Sequence, residues 1–246
     1  MTEIAPARET AILIGVATPV QDVDLTRDYL DELAFLVDTA GGIPVKKFIQ
    51  NLPHADSRTY VGSGKLNEIR SWMEKHPADV AVFDDDIFPP VNWFKNCLDT
   101  IQKPEYNGIL GGSGILLPAK GYKPHRKVGW NGAHNDTPTE VSLVGHAWFM
   151  RQEWAKYLWM EPPVTWDNGE DILLSFAAQK HGGIKTFVPP HPESDKSVWC
   201  TDHALSTAAS SDSVASYMVN GGHYSERDHC VEECKKRGWR IPPRGN

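Results

Sequence analysis

The sequence has no long hydrophobic run and few cysteines, and each shortage excludes a class of protein. No apolar stretch in its 246 residues approaches the ~20 residues that a helix needs to cross a bilayer. Residues 1–6 carry neither the basic segment nor the apolar core of a signal peptide. The four cysteines fit reduced thiols inside a cell. These features predict a cytoplasmic protein without a membrane segment.

Positive charge is also scarce, with 25 Lys and Arg against 32 Asp and Glu and a formal net charge of -7. Because binding of phosphates needs a basic surface, this balance argues against nucleic acid as the main partner, and no specific nucleic acid is predicted. A local basic patch stays open. The hydrophobic content of 40% and the length suit one large α/β domain or two small ones.

The first third of the chain alternates strand and helix patterns. The apolar run 11–17 has the length of a strand that is covered on both faces. Asp24 then opens a helical pattern, which Gly41-Gly42 ends. Residues 45–49 predict a second strand.

A glycine turn at residues 59–65 leads into a second helix, and a further strand ends at Asp84. The order β-α-β-α-β predicts a small parallel sheet with right-handed crossovers. The turn contains Gly62-Ser-Gly-Lys65, but a phosphate-binding P-loop requires Gly-x4-Gly-Lys-Ser/Thr, and here Leu66 follows the lysine. A tight turn that starts a helix is the alternative to nucleotide binding.

This first third resembles the N-terminal domain of HflX-type ribosome-associated GTPases. The matching segments are 11–15, 29–33, 39–42, 59–66 with Glu68-Ile69, and 82–85. The resemblance implies ribosome association and GTP hydrolysis. Since no Walker motif occurs in the 246 residues, GTPase activity is not carried over, and contact with the ribosome stays open as an alternative.

An acidic triplet follows the apolar run 80–83. Asp84, Asp85 and Asp86 come directly after this strand pattern and just before Pro89-Pro90. In open α/β sheets the ligand crevice lies outside the carboxyl ends of the strands. Asp84 and Asp86 are therefore predicted to hold a divalent cation, with a solvated turn as the plainer alternative.

A second acidic pair opens a helix further along the chain. Glu170 and Asp171 precede the helical pattern 172–180, so both lie in its first turn, where the helix dipole stabilises carboxylates. A junction that follows a glycine also directs them into a cleft. Simple helix capping is the alternative.

Strands are further predicted at 106–117, 140–150 and 184–188, with a helix after Pro90. The first of these strands alternates apolar residues with glycine, which suits a backbone that approaches a ligand closely. Gly112 is therefore a predicted substrate-binding residue.

The two acidic groups together resemble GT-A nucleotide-sugar glycosyltransferases of family two. The matching segments are 84–90, 145–150, 166–171 and 185–190. The resemblance implies an inverting transfer of a sugar from a nucleotide-sugar donor to a hydroxyl acceptor.

The same resemblance assigns roles to individual residues. Asp84 and Asp86 hold Mn²⁺ or Mg²⁺ on the donor diphosphate, and Asp171 acts as the base with Glu170 as its helper. A histidine completes the metal shell, with His191, His203 and His223 as candidates and His203 as our choice. The predicted substrate-binding residues are Asp85, Trp166, Asn168, Gly169 and Gly112.

We therefore predict an α/β fold with a Rossmann-like, mainly parallel sheet and helices on both faces. Residues 1–83 form an HflX-like half and residues 84–246 a GT-A-like half, as a chimera whose one sheet continues through the junction. The predicted function is a metal-dependent inverting glycosyltransferase. The alternative is a non-enzymatic fold chimera, or a ribosome-associated binding module without GTPase activity.

Overall fold

The computed structural model of the chain describes residues 10–39, 42–55, 60–76, 79–83, 87, 89–90, 92–166, 168–200 and 221–242. The chain divides into two units between Asp79 and Val80. The predicted division after residue 83 differs from this one by a single strand. Mixed α/β structure is found throughout the described residues, as the sequence predicts.

Where the structure describes the first unit, it shows two parallel strands and two helices. They are β1 (Thr10–Ala17), α1 (Val23–Thr39), β2 (Ile43–Asn51) and α2 (Ser63–Lys75). The strands pair in parallel from Thr10 opposite Ile43 to Ala17 opposite Asn51. The elements thus follow the predicted order as far as α2.

The two helices pack on opposite faces of this sheet, because successive side chains of a strand point to opposite sides. On one face, α1 contributes Leu30 and Val37 to a cluster with Leu13. On the other face, α2 contributes Ile69 to a cluster with Val16 and Phe48. The stripe predicted for α2 lies in the second cluster, with Leu66 and Met73 beside Ile69.

Asp22 caps α1, and not Asp24 as predicted. The Asp22 Oδ1 atom accepts a hydrogen bond from the backbone N–H of Leu25 at 2.8 Å. This bond satisfies one of the free N–H groups at the start of the helix. Asp24 lies in the first turn of α1, where its carboxylate forms a 2.6 Å ion pair with Arg27.

The second unit is built on a six-stranded sheet. Its strands are β3 (Asp79–Phe83), β4 (Ile109–Leu116), β5 (Arg126–Val128), β6 (Thr139–Val141), β7 (Leu143–Arg151) and β8 (Thr186–Val188). The strand order is β3-β7-β4-β8-β6, and β5 pairs with β4. The described residues of this unit also form the helices α3 (Trp93–Ile101), α4 (Glu170–Gly182) and α5 (His223–Lys236), with 3₁₀ turns at Pro104–Tyr106, Gln152–Trp159 and Lys196–Val198.

Two features of the sheets differ from the prediction. The described strands form two sheets, since β1 and β2 are separate from the sheet of the second unit. The larger sheet is mixed, because β4 pairs in parallel with β8 but antiparallel with β5 and β7, and β6 pairs antiparallel with β8. A short connection explains the antiparallel pairing of β4 with β5, because parallel neighbours would need a longer crossover.

The predicted strand 140–150 is two strands that divide at Ser142. The N–H of Ser142 donates to the Ile115 carbonyl at 2.8 Å, and its Oγ accepts from the N–H of Leu117 at 3.0 Å. Residues before this point pair with β8, and residues after it pair with β4. One continuous apolar segment of the sequence therefore forms two strands, which pair with two different strands of the sheet.

Helix α4 lies between two apolar clusters and is buried on most of its circumference. Leu174, Ala177 and Ala178 join the cluster that holds Trp93 and Met150. Ile172, Leu173 and Phe176 join the cluster that holds Trp239 and the cysteines of α5. A helix that is apolar all round is expected at the centre of a core.

Among the described residues, no helix is both long enough and apolar enough to span a bilayer.

Candidate functional site

A left-handed glycine positions the acidic pair at the start of α4. Gly169 has φ 95°, and a Cβ atom there would lie 2.8 Å from the Cys230 Sγ of α5. Both the dihedral angle and the close approach require glycine. Glu170 and Asp171 follow in the first turn, as predicted.

Asp171 is buried and forms an ion pair with Arg227 of α5. Its Oδ2 accepts from the Arg227 guanidinium at 2.5 Å, and both residues are less than a tenth exposed. The Asp171 Oδ1 accepts from the backbone N–H of Ile172 at 2.7 Å. Both carboxylate oxygens thus have partners, and Asp171 links α4 to α5.

The Arg227 side chain lies in a buried aromatic and ionic setting. Its guanidinium is 4.6 Å from the centre of the Tyr122 ring. Burial, the largest single effect, would lower the pKa of Arg227, but the charge and hydrogen bond of Asp171 together with the other acidic groups nearby raise this pKa. Burial likewise raises the pKa of Tyr122 to about 12, so the phenol keeps its proton.

Glu170 is exposed to solvent at the surface of α4, whereas the adjacent Asp171 is buried. Partial desolvation of the Glu170 carboxyl group, followed by repulsion from Asp171, raises the pKa of Glu170. The acidic pair therefore combines one buried, paired carboxylate with one that holds its proton more tightly than usual.

The predicted substrate-binding residues of this region do not share one environment. The Asn168 amide donates to Glu226 of α5, while its buried Oδ1 has no partner among the described residues. Trp166 is 70% exposed. Gly112 lies in β4, where an added Cβ would lie 3.0 Å from Cys200, so packing explains this glycine.

The predicted metal ligands lie mostly outside the described residues. The predicted ligands Asp84, Asp86 and His203 are in the undescribed parts of the chain, as is Asp85, which was predicted to bind substrate. Within the described ranges there is no group of three or more His, Cys, Asp or Glu residues arranged to hold a metal ion. The metal assignment stays a prediction.

The other two histidine candidates have protein neighbours. The Nδ1 of His191 lies 3.1 Å from the Nδ1 of His134, and Trp199 stacks on His191 with ring centres 4.7 Å apart. Burial lowers the pKa of His191 to about 4, so its imidazole is neutral near pH 7. His223 is the first residue of α5. Its pKa is lowered mainly by burial and, to a smaller extent, by the positive charge of Arg227.

Arg227 and Tyr122 are the residues that sequence reasoning missed at this site. Residues 227, 230, 231 and 234 are the buried positions of α5. This is the i, i+3, i+4, i+7 spacing of a core-facing stripe, and an arginine occupies its first position. A charged residue in an apolar stripe is the signal that would have indicated a buried partner.

The first unit has a groove between β2 and α2. Its volume is about 230 Å³, and its lining is formed by Lys46, Phe48, Glu68, Ser71, Trp72 and Lys75. Phe48 meets Trp72 edge to face, with ring centres 6.3 Å apart. The groove thus joins an aromatic wall to two basic side chains.

The glycine turn before α2 already uses its polar groups. The N–H of Gly62 donates to Gln50 Oε1 at 2.8 Å, and Lys65 forms a 2.7 Å ion pair with Glu68. The amide and the ammonium that a phosphate would contact therefore have partners within the unit.

Comparison with known proteins supports the first of the two resemblances. The sequence profile of the family described as "GTP-binding GTPase N-terminal" matches residues 27–92, about a quarter of the chain. The match begins in α1, contains β2, α2 and β3, and ends before α3.

Similar proteins include three named GTPase HflX. The protein of Flavobacterium psychrophilum is 38% identical over 81 residues, which are 33% of this chain and 20% of the relative. That of Lacrimispora saccharolytica is 37% identical over 89 residues (36% and 21%), and that of Caldanaerobacter subterraneus subsp. tengcongensis is 30% identical over 87 residues (35% and 19%). The matched part thus spans about a fifth of the length of these relatives. The predicted HflX-type N-terminal segment is confirmed.

The same comparisons contradict the predicted glycosyltransferase. All of these matches point to HflX-type GTP-binding proteins. The nucleotide-sugar donor, the hydroxyl acceptor and Mn²⁺ lose their support with that function. Physically, Asp171 is held by Arg227 and the backbone, which explains a first-turn aspartate without catalysis.

Proposed function

We propose that this chain is an HflX-like, ribosome-associated binding module without GTP turnover of its own, and that its first unit makes the contact. The observation that carries the proposal is the match over residues 27–92, which includes α1, β2 and α2 of that unit. A partner inside the cell also agrees with the predicted cytoplasmic location.

The absence of turnover rests on the chemistry of the glycine turn. Catalysis of phosphoryl transfer needs free backbone amides around the phosphates and a lysine that reaches them. Here Gly62 and Lys65 are bound to Gln50 and Glu68. The sequence of 246 residues contains no Gly-x4-Gly-Lys-Ser/Thr segment that would replace this turn.

A nucleotide-bound state would involve Mg²⁺ rather than Mn²⁺. The relatives are named GTPases, and Mg²⁺ is normally held by nucleotide phosphates together with one or two carboxylates. Only this part of the predicted cofactor set agrees with the relatives.

The test is co-sedimentation of the full chain with ribosomes through a sucrose cushion. We expect the protein to pellet with ribosomes and to stay in the supernatant without them. The matched control is Phe48→Asp, which places a charge at a 3% exposed core position of the first unit and should abolish pelleting. Equal recovery of the wild-type protein and this variant, or no recovery of either, would contradict the proposal.

The enzymatic part is tested separately by following phosphate release from GTP with Mg²⁺, with and without ribosomes. We expect no release above that of ribosomes alone. Turnover that depends on this chain would overturn the non-enzymatic assignment and leave the ribosome contact untouched.

A further inference from the structure

Charge in the first unit is divided between the two faces of its sheet. Helix α1 carries five acidic residues and one basic residue. Helix α2, on the opposite face, carries three basic and two acidic residues. An RNA partner would therefore be repelled from the α1 face, and its approach would favour the α2 face.

The groove on the α2 face is lined by two basic side chains and one carboxylate. The carboxylate, Glu68, is paired with Lys65, and Lys46 Nζ lies 5.7 Å from the centre of the Phe48 ring. No carboxylate of the described residues lies within ion-pair distance of Lys46 or Lys75. Their neighbours differ in this respect, since Lys47 pairs with Asp31 and Lys65 pairs with Glu68. Lys46 and Lys75 both line the groove.

The wall between these lysines is aromatic. Phe48 is buried and contacts Trp72 edge to face. The His76 ring stacks on Trp72 with centres 4.1 Å apart and planes 9° apart, and its Nδ1 lies 2.8 Å from the Trp72 carbonyl oxygen. These contacts hold the indole plane in place, and the His76 ring covers one of its two faces, so a base would have to use the other face or the indole edge.

The groove is shallow and open to solvent. Its volume of about 230 Å³ is below the ~300–1,000 Å³ usual for sites that enclose a drug-sized molecule. It has room for one planar base whose ribose and phosphates stay outside. Single-stranded RNA is recognised in this way, by bases placed on aromatic side chains and phosphates on lysines.

We infer that the groove between β2 and α2 binds an unstacked base of single-stranded RNA, with Lys46 and Lys75 on the adjoining phosphates. This inference rests on the proposed function, because it names the chemistry by which the first unit contacts a ribosome. It uses the local basic patch that the net charge left open, since such a patch suffices for binding of phosphates.

The test measures binding of a fluorescein-labelled, mixed-sequence RNA 12-mer to the full chain by anisotropy at several salt concentrations. Lys46→Glu and Lys75→Glu should each weaken binding about ten-fold. Each loss of a phosphate contact should also reduce the slope of log K against log salt by about 0.7. Trp72→Ala should weaken binding by roughly ten-fold or more, and Trp72→Phe by less.

Lys47→Glu is the matched control. It makes the same change of charge at the adjacent position, but on the α1 face of β2, so it should leave affinity within about two-fold of wild type. An equal loss in Lys46→Glu and Lys47→Glu would overturn the inference. If Trp72→Ala fails to fold by circular dichroism, the lysine variants alone decide the question.

Two further ligands complete the design. An RNA duplex should bind at least about ten-fold more weakly, because its bases are stacked, and equal binding would overturn the inference. GTP should not compete at concentrations near the Kd of the RNA, and efficient competition would assign the groove to a free nucleotide instead.

Failure of the inference and failure of the proposed function are distinguishable in the same variants. Ribosome pelleting without any binding of the 12-mer would overturn the groove assignment and keep the ribosome module. Binding of the 12-mer without pelleting would support the groove and contradict the proposed function.

Discussion

The Asp171–Arg227 pair is the most consequential side-chain contact of the second unit. Transfer of two charges from water into the interior is unfavourable, and their attraction offsets it only when the geometry is good and the remaining hydrogen-bonding atoms have partners. Asp171 meets this condition through Arg227 and the N–H of Ile172. Arg227 meets it in part, since its buried Nε atom has no hydrogen-bond partner within the described part of the chain.

Breaking this pair should be costly, whereas replacing both partners should be tolerated. Arg227→Met and Asp171→Leu should each lower the free energy of unfolding by about 3–5 kcal/mol, because each leaves a buried charge alone. The double variant should lose much less than the sum of the two. Urea unfolding followed by tryptophan fluorescence provides the measurement.

The control is the exposed pair of Lys95 and Asp99 on α3, for which Asp99→Ala should cost at most ~1 kcal/mol. Single variants at Asp171 that cost no more than this would show that water reaches the buried pair. The pair itself was not predictable from sequence, because α4 and α5 are far apart along the chain. The one local indication of a buried ion pair is Arg227, a charged residue within the otherwise apolar stripe of α5.

At the scale of elements, helices were more predictable than strand partners. The spacing of Leu66, Ile69 and Met73 specifies one face of α2, and that face is the one that packs. Strand pairing depends on contacts between segments that are distant in the sequence, and the local hydrophobic periodicity carries no information about them. The run 140–150 shows this, because its two parts pair with β8 and β4 on either side of Ser142.

The glycines at the two ends of α4 offer a test of why its position is fixed. Gly169 and Gly183 both have positive φ, but only at Gly169 would an added Cβ contact a neighbour, Cys230 Sγ at 2.8 Å. Gly183→Ala should cost about 1–2 kcal/mol from backbone strain alone. Gly169→Ala should cost clearly more, because α4 must also move away from α5.

Urea unfolding of the two variants measures this difference. Equal losses for Gly169→Ala and Gly183→Ala would mean that the contact with Cys230 relaxes freely. The double variant Gly169→Ala with Cys230→Ala removes the opposing sulfur and should recover part of the loss.

At the scale of the whole molecule, short sequence motifs suggested resemblance to two families, and the comparisons with known proteins support resemblance to one of them. The HflX resemblance came from a string of segments in one continuous region, and it is confirmed over residues 27–92. The glycosyltransferase resemblance rested on four short, separate segments, two of which contain acidic motifs, and local physics explains one of these two motifs. Carboxylates in the first turn of a helix are stabilised by its dipole whatever the protein does.

The distribution of charge over the molecule leads to the last prediction. The chain has a net charge of -7, yet RNA is expected to bind where the local charge is positive. Asp28 and Glu32 are exposed on the acidic α1 face, four residues apart. Asp28→Lys with Glu32→Lys should therefore strengthen binding of the RNA 12-mer several-fold at low salt, through the long-range field alone.

The salt dependence of RNA binding distinguishes an effect of the long-range field from direct contact between the new lysines and RNA. The Debye length is ≈ 10 Å at 0.1 M and ≈ 3 Å at 1 M, so the gain should vanish at high salt. Asp28→Asn with Glu32→Gln changes the charge by half as much and should give a smaller gain of the same kind. A gain that persists at 1 M salt would mean that the new lysines contact RNA themselves, and that the α1 face is a second binding surface.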